Sequence, residues 1–260
     1  MIEIATPIST LFNKLINAIE IIKYSDCLEC REQSFHSTFS NQKVFHCDIQ
    51  LIHKFGRDKF SFLEKLADLK KELQLISFHM ASSCSNPFLD NFMFKPGGFQ
   101  LSRKEMLNNA KKNIKIIKSI FEPEVKIAVE NNNYYPSEAY NYITDSKFIS
   151  EVVYDNDIYF LYDMAHAGIT AHNKCLLLQD YQIQLPLDRV IQVHISRYKK
   201  NRDNIAIDSH LLPDTNEYNE LLKIISIAKS IEYVTIEYYK DINRLIASLK
   251  KLRKFLYELS

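Results

Sequence analysis

At 260 residues the chain has the length of one large domain, and 46% hydrophobic against 25% charged residues is enough apolar material for a substantial core. A net charge of +1 supplies no basic field for a phosphate backbone, which argues against a nucleic-acid partner. No run of eighteen apolar residues offers a membrane span, MIEIATPISTLFNKL lacks the order of a secretory signal, and five cysteines (Cys27, Cys30, Cys47, Cys84, Cys175) do not make a disulfide framework, so a reducing, cytoplasmic setting is expected.

Strand-like segments rich in β-branched and aromatic residues recur along the chain. In order they are AIEII (18–22), VFHCDI (44–49), LISFHM (75–80), KIAVEN (126–131), YFLYDM (159–164), VIQVHIS (190–196), IAID (205–208) and YVTIEYY (233–239). Helix signals fall between them: Asp58 before KFSFLEKLADLKKELQ, Ser102 with Glu105 as a capping box, and Asp214 with Glu217 as another. The segments 25–43 and 197–204 read as loops. The last stretch, INRLIASLKKLRKFLYEL, reads as a final amphipathic helix, with a membrane-surface helix as the alternative. Eight apolar strands alternating with helices predict an α/β fold, a closed (β/α)8 TIM barrel formed by a single domain over residues 1–260.

Nearly every predicted strand carries a histidine or carboxylate in its last half: His46, His79, Glu130, Asp163 with His166, His194, Asp208 with His210, and Glu237. In a (β/α) barrel the C-terminal strand ends and the loops after them share one mouth, so residues distant in sequence converge there. Each alone reads more simply as a structural residue. Together, five histidines and four carboxylates at one end of an apolar barrel would be costly to bury unless paired or bound to metal. Nitrogen and oxygen ligands suit iron, zinc or manganese. Nine exceed the needs of one ion, and Glu130, midway through the set, is the natural bridge. Asp163 is expected at a strand tip with His166 in the loop after it.

Other features are weaker. CLEC (27–30) has the spacing of a redox or zinc pair, but it lacks a second pair and reads as incidental. His36, His53 and His172 lack a matching carboxylate pattern; His172, six residues after His166, is the best candidate to support a ligand. RYKKNR (197–202) is read as a solvated loop, or as an anion-attracting one if it lies at the mouth. Neither a phosphate-cradling glycine pattern nor GxSxG is present.

In these residues the sequence resembles the multinuclear non-heme iron-dependent oxidative enzymes, barrel proteins of the xylose isomerase-like superfamily. The resemblance runs in order from about residue 18 to 240 and rests on FHCDI, ISFHMA, IAVENN, YDMAH, QVHIS, AIDSHLLP and TIEYY. It implies iron ligands at His46, His79, Glu130, Asp163, His166, His194, Asp208, His210 and Glu237, with Glu130, Asp163 and His194 closest to the reaction. It further implies two or three iron ions, dioxygen as co-substrate, and oxidation of a cysteine or another residue in a ribosomally made precursor peptide. A separate leader-peptide-binding partner protein is implied as well. The sequence departs from the family in having CDIQLIHK where a glycine-rich stretch usually follows the first histidine, and RYKK where Ala-Gly-His is commoner. The same ligand series resembles that of a trinuclear zinc apurinic endonuclease, although Ser209 stands where that pattern has Arg. A metal-dependent sugar isomerase or epimerase is a third reading and a non-catalytic metal-binding protein a fourth.

Overall fold

The computed structural model describes residues 1–259. Eight parallel strands close into a barrel in sequence order: β1 (Glu3–Pro7), β2 (Cys27–Cys30), β3 (Val44–Gln50), β4 (Leu75–His79), β5 (Lys126–Glu130), β6 (Tyr159–Asp163), β7 (Val190–Ile195) and β8 (Tyr233–Ile236), with β8 returning to pair with β1. Around them lie α1 (Leu15–Ile22), α2 (Arg57–Leu69), α3 (Arg103–Ile120), α4 (Ser146–Asp155), α5 (Met164–Asn173), α6 (Leu178–Gln182), α7 (Thr215–Ile227) and α8 (Ile242–Tyr257). The (β/α)8 expectation therefore holds, but two of the strands expected from the sequence do not belong to the barrel.

AIEII (18–22) is the end of α1. Its Ala18 and Ile21 are buried, three apart on one helical face, while Leu15, Ile16 and Ile19 face outward. Tertiary packing overrides the strand preference of isoleucine here. IAID (205–208) pairs only with Arg197–Lys200, in an antiparallel hairpin (Arg197–Lys200 with Ala206–Leu211) that rises from the end of β7. The two barrel strands that the sequence reading missed are β1, inside the supposedly plain N-terminus, and β2, in the segment 25–43 read as loop. Both are short, four or five residues, and carry Glu3 and Glu29 among their apolar residues.

Strand alternation explains where the polar groups go. The floor of the barrel is one apolar layer, Ala5, Cys27, Val44, Leu75, Ala128, Leu161, Ile191 and Tyr233, with one residue from each strand. Two residues on, Glu29, His46, Ser77, Glu130, Asp163 and Thr235 point to the same interior side, which is how charged groups come to be almost wholly buried above an apolar floor. The same alternation separates the CLEC pair. Cys27 belongs to the floor and Cys30 to the layer between strands and helices, so the two thiols cannot share a metal; burial pushes both up, Cys30 to about 11. All five cysteines are free.

The capping boxes at Ser102/Glu105 and Asp214/Glu217 are formed. Asp58 sits in the first turn of α2, whose N-cap is Gly56. In α8, Leu245, Leu249 and Leu252 are buried against the protein, so its apolar face is already covered. Among the described residues no helix is long and apolar enough to cross a membrane.

The hairpin rests on α5 at Gly168, where a Cβ would stand 2.6 Å from Cε1 of Tyr198. Gly168→Val is expected to push Tyr198 and the hairpin outward at a cost of about 1–3 kcal/mol, the usual range for overpacking. Urea unfolding checks this: the midpoint should fall with the slope unchanged. An unaltered midpoint would mean that the Tyr198 ring swings aside freely.

Candidate metal centre

All nine residues singled out by the pattern meet at the C-terminal mouth of the barrel, although they arrive by different routes. His46 lies in mid-strand on β3, His79, Glu130 and Asp163 end β4, β5 and β6, His194 is the penultimate residue of β7, and Glu237 immediately follows β8. Asp208 and His210 come from the hairpin, which folds over the mouth. His166 is not in a loop: β6 runs directly into α5, and Asp163 is the N-cap, its Oδ1 accepting from the His166 backbone N–H at 2.7 Å. One carboxylate thus starts the helix with one oxygen and leaves the other facing the centre.

Ligands bonded to one ion at roughly 2.0–2.2 Å, at angles of about 90–120°, stand about 3–3.8 Å apart, without hydrogen-bond alignment between them. Three such groups are present. Glu130 Oε2 is 3.0 Å from His79 Nδ1 and 3.6 Å from His46 Nε2. His194 Nδ1 is 3.4 Å from Glu130 Oε1, 3.5 Å from Glu237 Oε1 and 3.8 Å from Asp163 Oδ2. Asp208 Oδ2 is 3.1 Å from His210 Nε2 and 3.7 Å from His166 Nε2. The two oxygens of Glu130 face different groups, the geometry a bridging carboxylate needs. Buried in the middle, Glu130 Oε2 and His194 Nδ1 have no hydrogen-bond partner. Two buried, unpartnered donor atoms are what a cation would satisfy once the imidazole gives up its proton, so the donor set fits a multinuclear metal centre.

The outer nitrogens are held in place. His46 Nδ1 meets Ser77 Oγ at 2.7 Å, leaving Nε2 toward Glu130. His166 Nδ1 donates to the Asn131 carbonyl at 2.9 Å, leaving Nε2 toward Asp208, and Asn131 also exchanges two hydrogen bonds with the Asp163 backbone. Such partners fix tautomer and ring orientation. His210 takes a left-handed backbone, φ 42°, uncommon for a non-glycine residue, which turns its ring back toward Asp208.

The charges are mutually dependent. Burial pushes His46 well below its usual range, so its ring is neutral. Burial opposes the charged forms of His166 and His194 too, but Asp163 and Glu130 at the first, and Glu237 and Glu29 at the second, outweigh it and hold both imidazolium forms well above normal; His210 is raised by Glu237 and Asp208. Burial would raise Glu130, yet His46, His166 and His79 hold it well below the carboxylate range. Asp163 differs: burial, then Glu237 and Glu130, raise it to about 7 against the opposing pull of His166 and His194. A cation entering this set must displace the imidazolium protons. Titration of the protein with zinc at pH 7 in two buffers of different ionisation enthalpy is expected to report release of more than one proton per chain; zero release would contradict the assignment of these rings as ligands.

The sequence reading missed a layer beneath the ligands. Glu29, fully buried, contacts His194, Gln192, Thr235 and Arg31, and Arg31 and Tyr239 both donate to Glu237 Oε1. The inward alternation of β2 would have found Glu29 had β2 been recognised. His172 does not support a ligand; its Nε2 pairs with the Asn204 carbonyl in the hairpin turn. His53 pairs with the Ser82 carbonyl, and His36 lies exposed on the rim. In RYKKNR, Arg197 is tied to Asp214 at 2.8 Å rather than left free for an anion. Beside the centre, Ser9, Thr10, Phe12, Arg31, His36 and Tyr239 line part of a cavity of about 640 Å³.

Residues 56–256 match the family model described as RiPP precursor modification enzyme MbnB/TglH/ChrH. The chain belongs to this family. All of the nine residues except His46 lie inside the matched stretch. Family members act on ribosomally made peptide precursors. Curated relatives include UPF0276 proteins of Acaryochloris marina, 27% identical over 88 residues (34% of this chain and 32% of the relative), and of Caulobacter vibrioides, 27% identical over 90 residues (35% and 32%). These matches span about a third of the length of each relative. Solved structures with the same fold include a xylose isomerase-like TIM barrel protein from Mycobacterium smegmatis in complex with magnesium (TM-score 0.59, 10% identity, 98% of this chain and 97% of that one). An L-ribulose 3-epimerase is also similar (TM-score 0.54, 13% identity, 98% and 93%).

Proposed function

We propose that this chain is a multinuclear iron, dioxygen-dependent oxidase that modifies a cysteine of a ribosomally synthesised precursor peptide, working in the cytoplasm as a single TIM-barrel domain over residues 1–260. The observation that carries this reading is the set of three N/O donor groups, the first two sharing Glu130 and the last two spanned by Glu237, inside a chain of a peptide-modifying family. Iron bound there supplies a Lewis acid that lowers the pKa of the substrate thiol, together with electrons for the reduction of dioxygen. The protein's part is to hold and orient. His46, His79 and Glu130 form one ligand group, Glu130, Asp163, His194 and Glu237 a second, and His166, Asp208 and His210 a third. Glu130, Asp163 and His194 surround the most buried point and are the residues on which turnover depends most. The neighbouring cavity, whose lining contains no carboxylate, is a suitable berth for the peptide beside its cysteine. A separate leader-binding protein completes recognition.

The test is metal analysis of anaerobically purified protein, followed by incubation with oxygen and cysteine-containing peptides encoded beside its gene, with the partner protein and reductant present. Iron in excess of one ion per chain and a peptide mass change that is lost when the peptide cysteine becomes serine are expected. A serine hydroxyl loses its proton far less readily than a thiol, so it should not replace it. A colourless zinc protein that consumes no oxygen and cleaves abasic DNA would transfer the case to the hydrolase reading.

A further inference from the structure

We propose that Glu29 is a positioning residue that fixes His194 as an Nδ1 ligand. The proposal rests on the reading of Glu130, Asp163, His194 and Glu237 as one ion's ligands, and it concerns a residue outside both the ligand pattern and the matched stretch. His194 is fully buried, and its two nitrogens face opposite environments. Nε2 lies 3.1 Å from Glu29 Oε2 and 3.2 Å from Gln192 Nε2, whose two hydrogens are taken by Glu29 and Thr235, whereas Nδ1 has no hydrogen-bond partner and faces three carboxylates. A neutral imidazole has one N–H. A carboxylate acceptor at Nε2 draws it there and leaves the Nδ1 lone pair toward the ion.

Glu29, His194 and Glu237 offer atoms within 4.8 Å of one another and could be taken for a further ion site. The hydrogen bonds of Glu29 argue otherwise. Oε1 accepts from Arg31 Nε at 3.1 Å and Nη2 at 2.9 Å; Oε2 accepts from Gln192 Nε2 at 2.7 Å and Thr235 Oγ1 at 3.3 Å, besides His194. A carboxylate has about four lone-pair directions, and five contacts leave none for a cation. The Arg31 guanidinium, bonded to Glu29 and Glu237 alike, already supplies the positive charge to two of the three residues such a site would need. Arg31 thereby links the support of one ligand to another ligand of the same group.

The test uses full-length protein labelled with ¹⁵N-histidine and loaded with zinc as a diamagnetic probe. Long-range ¹H–¹⁵N spectra, with His194 assigned from its absence in His194→Gln, are expected to show Nε2 protonated and Nδ1 shifted by the metal. A proton on Nδ1 with metal on Nε2 would overturn the proposal; a His194 signal that zinc does not shift would instead overturn the ligand reading beneath it. In Glu29→Gln, one amide oxygen faces the donors that two carboxylate oxygens served. Competition with a chelator should show one zinc ion bound about 10–100-fold more weakly, the range typical of lost support to a metal-bound histidine, with the ion at His46 and His79 unchanged as an internal control. Equal affinity for every ion, or an equal loss at all of them in folded protein, overturns the proposal. If this variant does not fold, the tautomer measured in the unaltered protein decides.

Discussion

Glu130→Gln is expected to leave the barrel folded and to remove at least one bound ion per chain, with turnover falling by more than the roughly 100-fold that loss of a supporting residue can cause. Glu130 turns its two oxygens to two ligand groups, Oε2 to His46 and His79 and Oε1 to His194, as Glu237 does between His194 and His210. Glutamine has the same shape, so the end of β5 and the packing around it have no reason to change. Its amide offers only one oxygen acceptor and no charge. The NH2 group must point at one of the two groups, placing a donor where a cation should bind. Circular dichroism should be nearly unaltered, while elemental analysis shows the deficit. An unchanged metal count in a folded variant would remove Glu130 from the bridging role.

How much of this was readable from sequence depends on where each residue lies in the strand pattern. His79, Glu130, Asp163 and His194 sit at or near the ends of long apolar runs, so period-two alternation and the barrel rule lead to them directly. Asp208 and His210 reach the mouth for another reason than the one expected. IAID looks like a barrel strand because its residues suit a sheet, but the sheet it joins is a two-stranded hairpin. Periodicity reports a half-buried strand and says nothing of its partner. β2 was lost because Glu29 interrupts four residues whose other members include two cysteines, and a buried charge reads as a loop unless its partners are known. Those partners, Arg31, Gln192, His194 and Thr235, come from three segments up to 206 residues away. No local pattern announces them. The candidate ligands were legible because each lies on or just after a strand-like run; the supporting layer was not, because its logic exists only across the closed barrel.

Asp163 has two duties that substitution can separate. Oδ1 caps α5 through the His166 N–H, and Oδ2 faces His194 Nδ1 at 3.8 Å. Asparagine can keep the cap with its carbonyl oxygen but presents an NH2 where Oδ2 stood. Alanine loses both. Both variants should therefore lose the ion held with His194 and fall to background turnover, whereas only Asp163→Ala should suffer the cost of a missing cap, about 0.5–2 kcal/mol. The charge adds a pH dependence. Buried beside Glu237 and Glu130, Asp163 is raised from 3.8 to about 7, so the fold prefers its protonated form. For an acid raised in this way the stability penalty is absent below the unfolded value, grows between pH 4 and 7, and is complete above that. In metal-free protein Asp163→Asn should thus match the parent near pH 4 and become the more stable of the two as pH rises to 8, even though it no longer binds the ion. Urea midpoints at pH 4.5 and 8 for the parent and both variants make the comparison. If asparagine is the weaker protein at pH 8, Asp163 is held ionised by the neighbouring imidazolium rings, and its contribution without metal is an ion pair rather than a repelled carboxylate.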